Sequence, residues 1–124
     1  MFAIGLPDSD WGRVMRWARE STPPSSHWLA DPLHAFRYGT SLRIAGQRDV
    51  LVEGSKDRAI GMYDRAVALR ARDRIAAVGD FDTLTPARVR ELAAAYDLDY
   101  LLSEATLDLP VAFSSGELRV YELR

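Results

Sequence analysis

Four helix-start signals punctuate this chain, and between them lie short runs of strand-forming residues. Ser9-Asp10, Asp31-Pro32, Ser55 and Thr85-Pro86 each offer a side chain able to accept a free backbone N–H at a helix start. Asp31-Pro32 and Thr85-Pro86 add a proline suited to the first helical turn. Helices that alternate with strands impose crossover connections. The expected result is a largely parallel sheet covered on both faces.

Apolar spacing fills in the elements. Trp11, Val14, Met15 and Ala18 form one stripe of a first helix, which Thr22-Pro23-Pro24 ends because a residue before proline is pushed out of helical conformation. A short buried strand is predicted over 27–30. In the helix opened by Asp31-Pro32, Leu33 and Phe36 are expected to face the core. Gly39 offers an end to it, or it continues through Leu42 and Ile44 to Gly46. A strand over 48–53 precedes the longest helix, over about 56–78, whose stripe is Ile60, Tyr63, Val67, Ala71, Ile75 and Val78. Gly79 stops that helix, 80–82 reads as a loop, and Val89, Leu92, Ala93 and Tyr96 mark the buried face of the helix after Thr85-Pro86. A strand over 99–103 and a hairpin turning at Ser115-Gly116, with β-formers on both arms, complete the chain.

The fold class expected is therefore α/β: one domain over 1–124, three-layer, with a mostly parallel sheet and a C-terminal β-hairpin adding an antiparallel edge. A length of 124 residues suits one domain with a core of its own. With no cysteine and 2 histidines, the chain has neither thiolate chemistry nor an all-imidazole metal cage. Its formal net charge of −2 gives no electrostatic pull towards nucleic acid. No run approaches the ~18 apolar residues of a membrane span. Lys56 is the sole lysine beside 15 arginines, and the mixed Arg and Asp positions of the long helix read as a solvated face.

Ligands of open α/β sheets bind beyond the carboxyl ends of the parallel strands. Those ends bring Asp31 and His34, then Glu53 with Lys56 and Asp57, then Ser103 with Glu104 towards one rim. The candidate ligand-binding residues are Asp31, His34, Glu53, Lys56 and Glu104, suited to a polar ligand or a cation, with Lys56 supplying a mobile charge and His34 a titration near neutral pH. Helix capping and a half-exposed helix surface account for the same residues without a ligand. Neither a glycine-rich phosphate loop nor a nucleophile elbow occurs. Ser25-Ser26-His27 is adjacent in sequence only, and Trp11, Trp17 and Trp28 fit core and half-buried positions better than a sugar-stacking platform. No catalytic residue, metal site or cofactor is assigned.

The run Trp17-Ala18-Arg19-Glu20-Ser21-Thr22-Pro23-Pro24 resembles the W-x-R-x-x-T-P-P entry of a family of bacterial domains. Phe36-Arg37, the 48–53 strand, Leu84-Thr85-Pro86, the 96–101 run and Leu118-Arg119-Val120-Tyr121 follow in that family's order. The family resembles the C-terminal soluble domain of uncharacterised polytopic membrane proteins whose membrane part is similar to C-type glycosyltransferases. Related domains often continue the second strand into an Asp-Trp-Lys run, where this chain has Glu53-Gly54-Ser55-Lys56. The catalytic carboxylates of such transferases lie in loops between membrane helices, so none is carried over to this chain.

The resemblance implies a non-catalytic accessory domain on the extracytoplasmic face of a bacterial membrane, with residues 1–8 as the linker from a preceding membrane region. Its partner would be the membrane region of the parent protein, with no nucleic acid, and the isolated domain is expected as a monomer or weak homodimer. The alternatives are a free-standing small-molecule-binding α/β domain or minor enzyme with a polar site at the strand carboxyl ends, and a plain interaction module.

Overall fold

The computed structural model describes residues 9–51 and 65–124. Residues 1–8, the end of the 48–53 strand, the start of the long helix with Ile60 and Tyr63, the candidates Glu53 and Lys56, and the side chains of Phe36 and Val67 lie outside the described residues. The elements are α1 (Asp10–Ser21), β1 (His27–Leu29), α2 (His34–Tyr38), α3 (Leu42–Ala45), β2 (Asp49–Val50), α4 (Arg65–Val78), α5 (Pro86–Tyr96), β3 (Tyr100–Ser103), β4 (Val111–Ser115) and β5 (Leu118–Glu122), with a single 3-10 turn at Phe81–Thr83 before α5.

The strands form one sheet in the order β2-β1-β3-β5-β4. β2, β1 and β3 run parallel, with Trp28 opposite Val50 and Tyr100. β3, β5 and β4 pair antiparallel, so the C-terminal hairpin supplies the antiparallel edge. The result is a mixed α/β fold. Side-chain alternation divides the core. Trp28, Val50, Leu102 and Val120 pack with the α1 stripe Trp11, Val14, Met15 and Ala18. Leu29, Leu101 and Tyr121 pack instead with Val78 of α4 and with Val89, Leu92 and Ala93 of α5. No described helix is long and apolar enough to cross a membrane.

Several helix signals act as their chemistry dictates. Ser9 caps α1 by accepting the Gly12 N–H at 2.9 Å, and Thr85 caps α5 by accepting the Arg88 N–H at 3.2 Å. The region after β1 departs from expectation. Asp31-Pro32-Leu33 forms a turn, in which the Asp31 carboxylate accepts the Leu33 N–H at 3.0 Å, and α2 begins only at His34. That shift moves Leu33 off the core face to 53% exposure. Gly39 then takes a left-handed conformation (φ 89°), which ends α2 and lets Ser41 cap a separate α3. Ile44 is 65% exposed, outside any continuous stripe. β2 is shorter than the 48–53 run, although the Leu51 N–H still donates to the Trp28 carbonyl at 2.8 Å. The loop expected at 80–82 contains the 3-10 turn, capped by Asp80.

Candidate functional site

Chain direction decides where a crevice opens. From β1 the chain passes towards β2 on one side, and from β3 it passes towards the hairpin on the other. Neighbouring parallel strands whose connections diverge leave a gap beyond their carboxyl ends. A cleft of about 80 Å³ lies at that gap. Its walls come from Asp31 and His34 after β1, Arg37 and Tyr38 of α2, Asp82 of the 3-10 turn, and Ser103 and Glu104 at the end of β3.

The structure thus brings Asp31, His34 and Glu104 together. Sequence reasoning missed Arg37, Tyr38 and Asp82. Tyr38 was accessible in principle, since it follows His34 by four residues and so shares its helix face.

Tyr38 and Arg37 hold Glu104. The Tyr38 hydroxyl donates to Glu104 Oε2, and Arg37 Nη2 lies 3.0 Å from the same oxygen. Tyr38 is itself fixed by stacking on Trp11, with ring centroids 4.5 Å apart and planes 6° from parallel. Burial, then the hydrogen bond to Glu104 and its negative charge, push the Tyr38 hydroxyl well above the ordinary phenol pKa. Behind Glu104 the loop is anchored through its backbone. The Ala105 N–H donates to Ser103 Oγ at 3.0 Å, and the buried Tyr121 hydroxyl donates to the Ala105 carbonyl at 2.5 Å.

His34 differs from the expected half-exposed surface histidine. Its residue is 1% exposed, and both ring nitrogens bond to backbone. Packing of the Asp31–Leu33 turn, which starts the helix one residue past Leu33, carries it inward. Both the His34 nitrogens and Ser103 Oγ are therefore engaged in holding main chain rather than paired as base and nucleophile.

The cleft carries the carboxylates of Asp31, Asp82 and Glu104 against the Arg37 guanidinium, which Glu104 engages. Among the described residues no group of three or more His, Asp or Glu side chains is placed to hold a metal ion. The chain matches no protein-family model, no curated protein and no solved structure. Chemistry at this site has to be argued from its geometry.

Ser26, His27 and the tryptophans hold structural positions. Ser26 Oγ accepts the Trp28 indole N–H at 3.0 Å, while His27 turns away to Asp49, 3.2 Å distant. Trp28 is fully buried, and Trp17 stacks on Phe113 at 5.1 Å.

Proposed function

We propose that this domain is a binding module without catalytic chemistry of its own, and that the cleft between the ends of β1 and β3 takes the protonated amine end of a small or chain-like ligand. The observation that carries this is the charge among the described residues that line the cleft: Asp31, Asp82 and Glu104 share it with Arg37, whose guanidinium is engaged by Glu104. Size supports the same class. A cleft of about 80 Å³ equals two or three waters at roughly 30 Å³ each, enough for an ammonium group and one or two carbons. A larger ligand would leave its remainder in solvent.

Isothermal titration of methylammonium and ethylammonium against the full chain, with acetate as the anionic control, tests this. Amine binding that is lost in Asp31→Asn/Glu104→Gln, with no acetate binding, supports the proposal. Equal amine binding by both proteins, or a preference for acetate, eliminates it.

The order of motifs from Trp17 to Tyr121 supports a wider setting for that module: an extracytoplasmic accessory domain of a membrane protein related to C-type glycosyltransferases. In that setting the helices on opposite faces of the sheet are the outer layers of a three-layer sandwich. Reading the native gene upstream of residue 1 tests the setting, because a series of apolar spans is expected there.

A further inference from the structure

Among the described residues that line the cleft, His34 is the imidazole, and its hydrogen bonds dictate its proton content. The Leu42 N–H donates to Nε2 at 3.0 Å, so Nε2 carries no proton. Nδ1 lies 2.8 Å from the Asp31 carbonyl oxygen, which only accepts, so Nδ1 carries the proton. The ring is a neutral imidazole in the Nδ1–H form, and it ties the turn that starts α2 to the first residue of α3. Leu42 is fully buried. The intervening Thr40 is held by α1, its hydroxyl accepting the Trp11 indole N–H at 2.7 Å.

We propose that His34 is a proton-operated latch between α2 and α3: a second proton on the ring breaks its bond to Leu42 and releases the Gly39–Leu42 connection beside the cleft. An imidazolium donates from both nitrogens, so Nε2–H would face the Leu42 N–H donor to donor. A buried N–H left without an acceptor is costly, and the ring has to turn away from it. The described charged residues that line the same cleft are an acceptor set for the turned ring. Asp31 after β1, Asp82 of the 3-10 turn and Glu104 after β3 offer carboxylates in the same cleft, and Arg37 of α2 is committed to Glu104. Tyr38 stays an uncharged donor to Glu104, and α1 presents the Trp11 ring, with its centroid 5.9 Å from that of His34. Acidification therefore exchanges a backbone hydrogen bond for attraction to the carboxylates. The latch stands on these bonds alone and needs no ligand in the cleft.

The chain has 2 histidines, so His27→Asn leaves His34 as the only imidazole. In that protein, nitrogen NMR at pH 8 is expected to show the Nδ1–H form. Between pH 8 and pH 5 the His34 ring is expected to titrate, with amide exchange at Leu42, corrected for intrinsic rates, rising at least ~10-fold as one buried hydrogen bond is lost. Amides of β3 and β5 keep their protection. His34→Gln retains an uncharged acceptor and is expected to remove the pH step. An Nε2–H form at pH 8, a ring that does not titrate, Leu42 protection that persists through the titration, or simultaneous loss of protection throughout the sheet each overturns the latch. If His34→Gln does not fold, the ring form and the Leu42 exchange in His27→Asn still decide.

Discussion

Arg48, entering β2, grips Thr22, the residue that ends α1. Its Nε donates to Thr22 Oγ1 at 2.9 Å and its Nη2 to the Thr22 carbonyl at 2.7 Å, and Nη2 also reaches the Arg19 carbonyl at 2.9 Å. Both residues are buried, with Arg48 at 5% exposure. The guanidinium thus satisfies the open carbonyls at the C-terminus of α1, where the helix dipole favours a cation.

Removing this grip leaves buried carbonyls without donors. Arg48→Ala is expected to destabilise the domain by about 1–3 kcal/mol for the buried carbonyls left without a donor, and Arg48→Lys to recover only part of that, since an ammonium lacks the planar fork. Urea denaturation followed by circular dichroism measures both, and a loss within ~0.5 kcal/mol for Arg48→Ala would contradict the arrangement.

Tyr38→Phe keeps the stack on Trp11 and removes the bond to Glu104. A stability loss of about 1 kcal/mol is expected. The Tyr38 pKa is raised on folding, so its share of stability is complete below the unfolded phenol value of about 10 and is lost as pH rises beyond it. Ring NMR resonances of Tyr38 should show no ionisation at pH 10.5.

At the hairpin, Asp10 Oδ1 accepts from Ser115 Oγ at 2.8 Å and from Arg13 Nη2 at 2.5 Å. The Ser115 hydrogen bond, then the Arg13 bond, hold the Asp10 carboxyl below its ordinary value of 3.8. A lowered carboxyl pKa contributes stability above the unfolded value, and that contribution disappears as pH falls through the folded one. Carboxyl NMR titration should move Asp10 upward in Ser115→Ala, and an unchanged midpoint would remove Ser115 as the main cause.

Gly46→Ala should be destabilising although its backbone is in an ordinary helical region. An added Cβ would meet Leu42 Cδ1 at 2.8 Å, the Leu42 carbonyl at 2.9 Å and Met15 Sδ at 3.2 Å. The backbone oxygen cannot move aside as a side chain can, so a cost of about 1–3 kcal/mol is expected in thermal melts.

Purified domain is expected to turn over neither activated sugar donors nor simple esters. His34 and Ser103, which line the cleft, are both bonded to main chain, and the Tyr38 hydroxyl there is held by Glu104. Turnover abolished by Asp31→Asn or Glu104→Gln would establish catalysis at the cleft.

The candidate site was legible where it depended on strand order. Asp31 and Glu104 follow β-rich runs, and the rule that ligands gather at carboxyl strand ends is enough to bring them to one rim. Tyr38, Arg37 and Asp82 were missed because their roles arise from contacts between elements remote in sequence: Tyr38 with Trp11, and Arg37 with Glu104. Thr22 shows the converse. It belongs to the most recognisable run of the sequence, and in the fold it closes α1, donating to the Ala18 carbonyl at 2.6 Å and accepting from Arg48.

Local chemistry in the sequence determined the caps of α1 and α5, the α1 stripe and the closing hairpin, because each depends on residues within a few positions of one another, while the alternation of helices with strands set the parallel pairing of β1 with β2 and β3. Only tertiary structure decided the region from Asp31 to Gly46. There the sequence offers a start at Asp31-Pro32 and an end at either Gly39 or Gly46, and the fold that buries His34 and Leu42 takes neither the early start nor the long helix. A helix that opened at Pro32, two residues earlier, is the arrangement that puts Leu33 on the core face in place of His34, without the bond that joins α2 to α3.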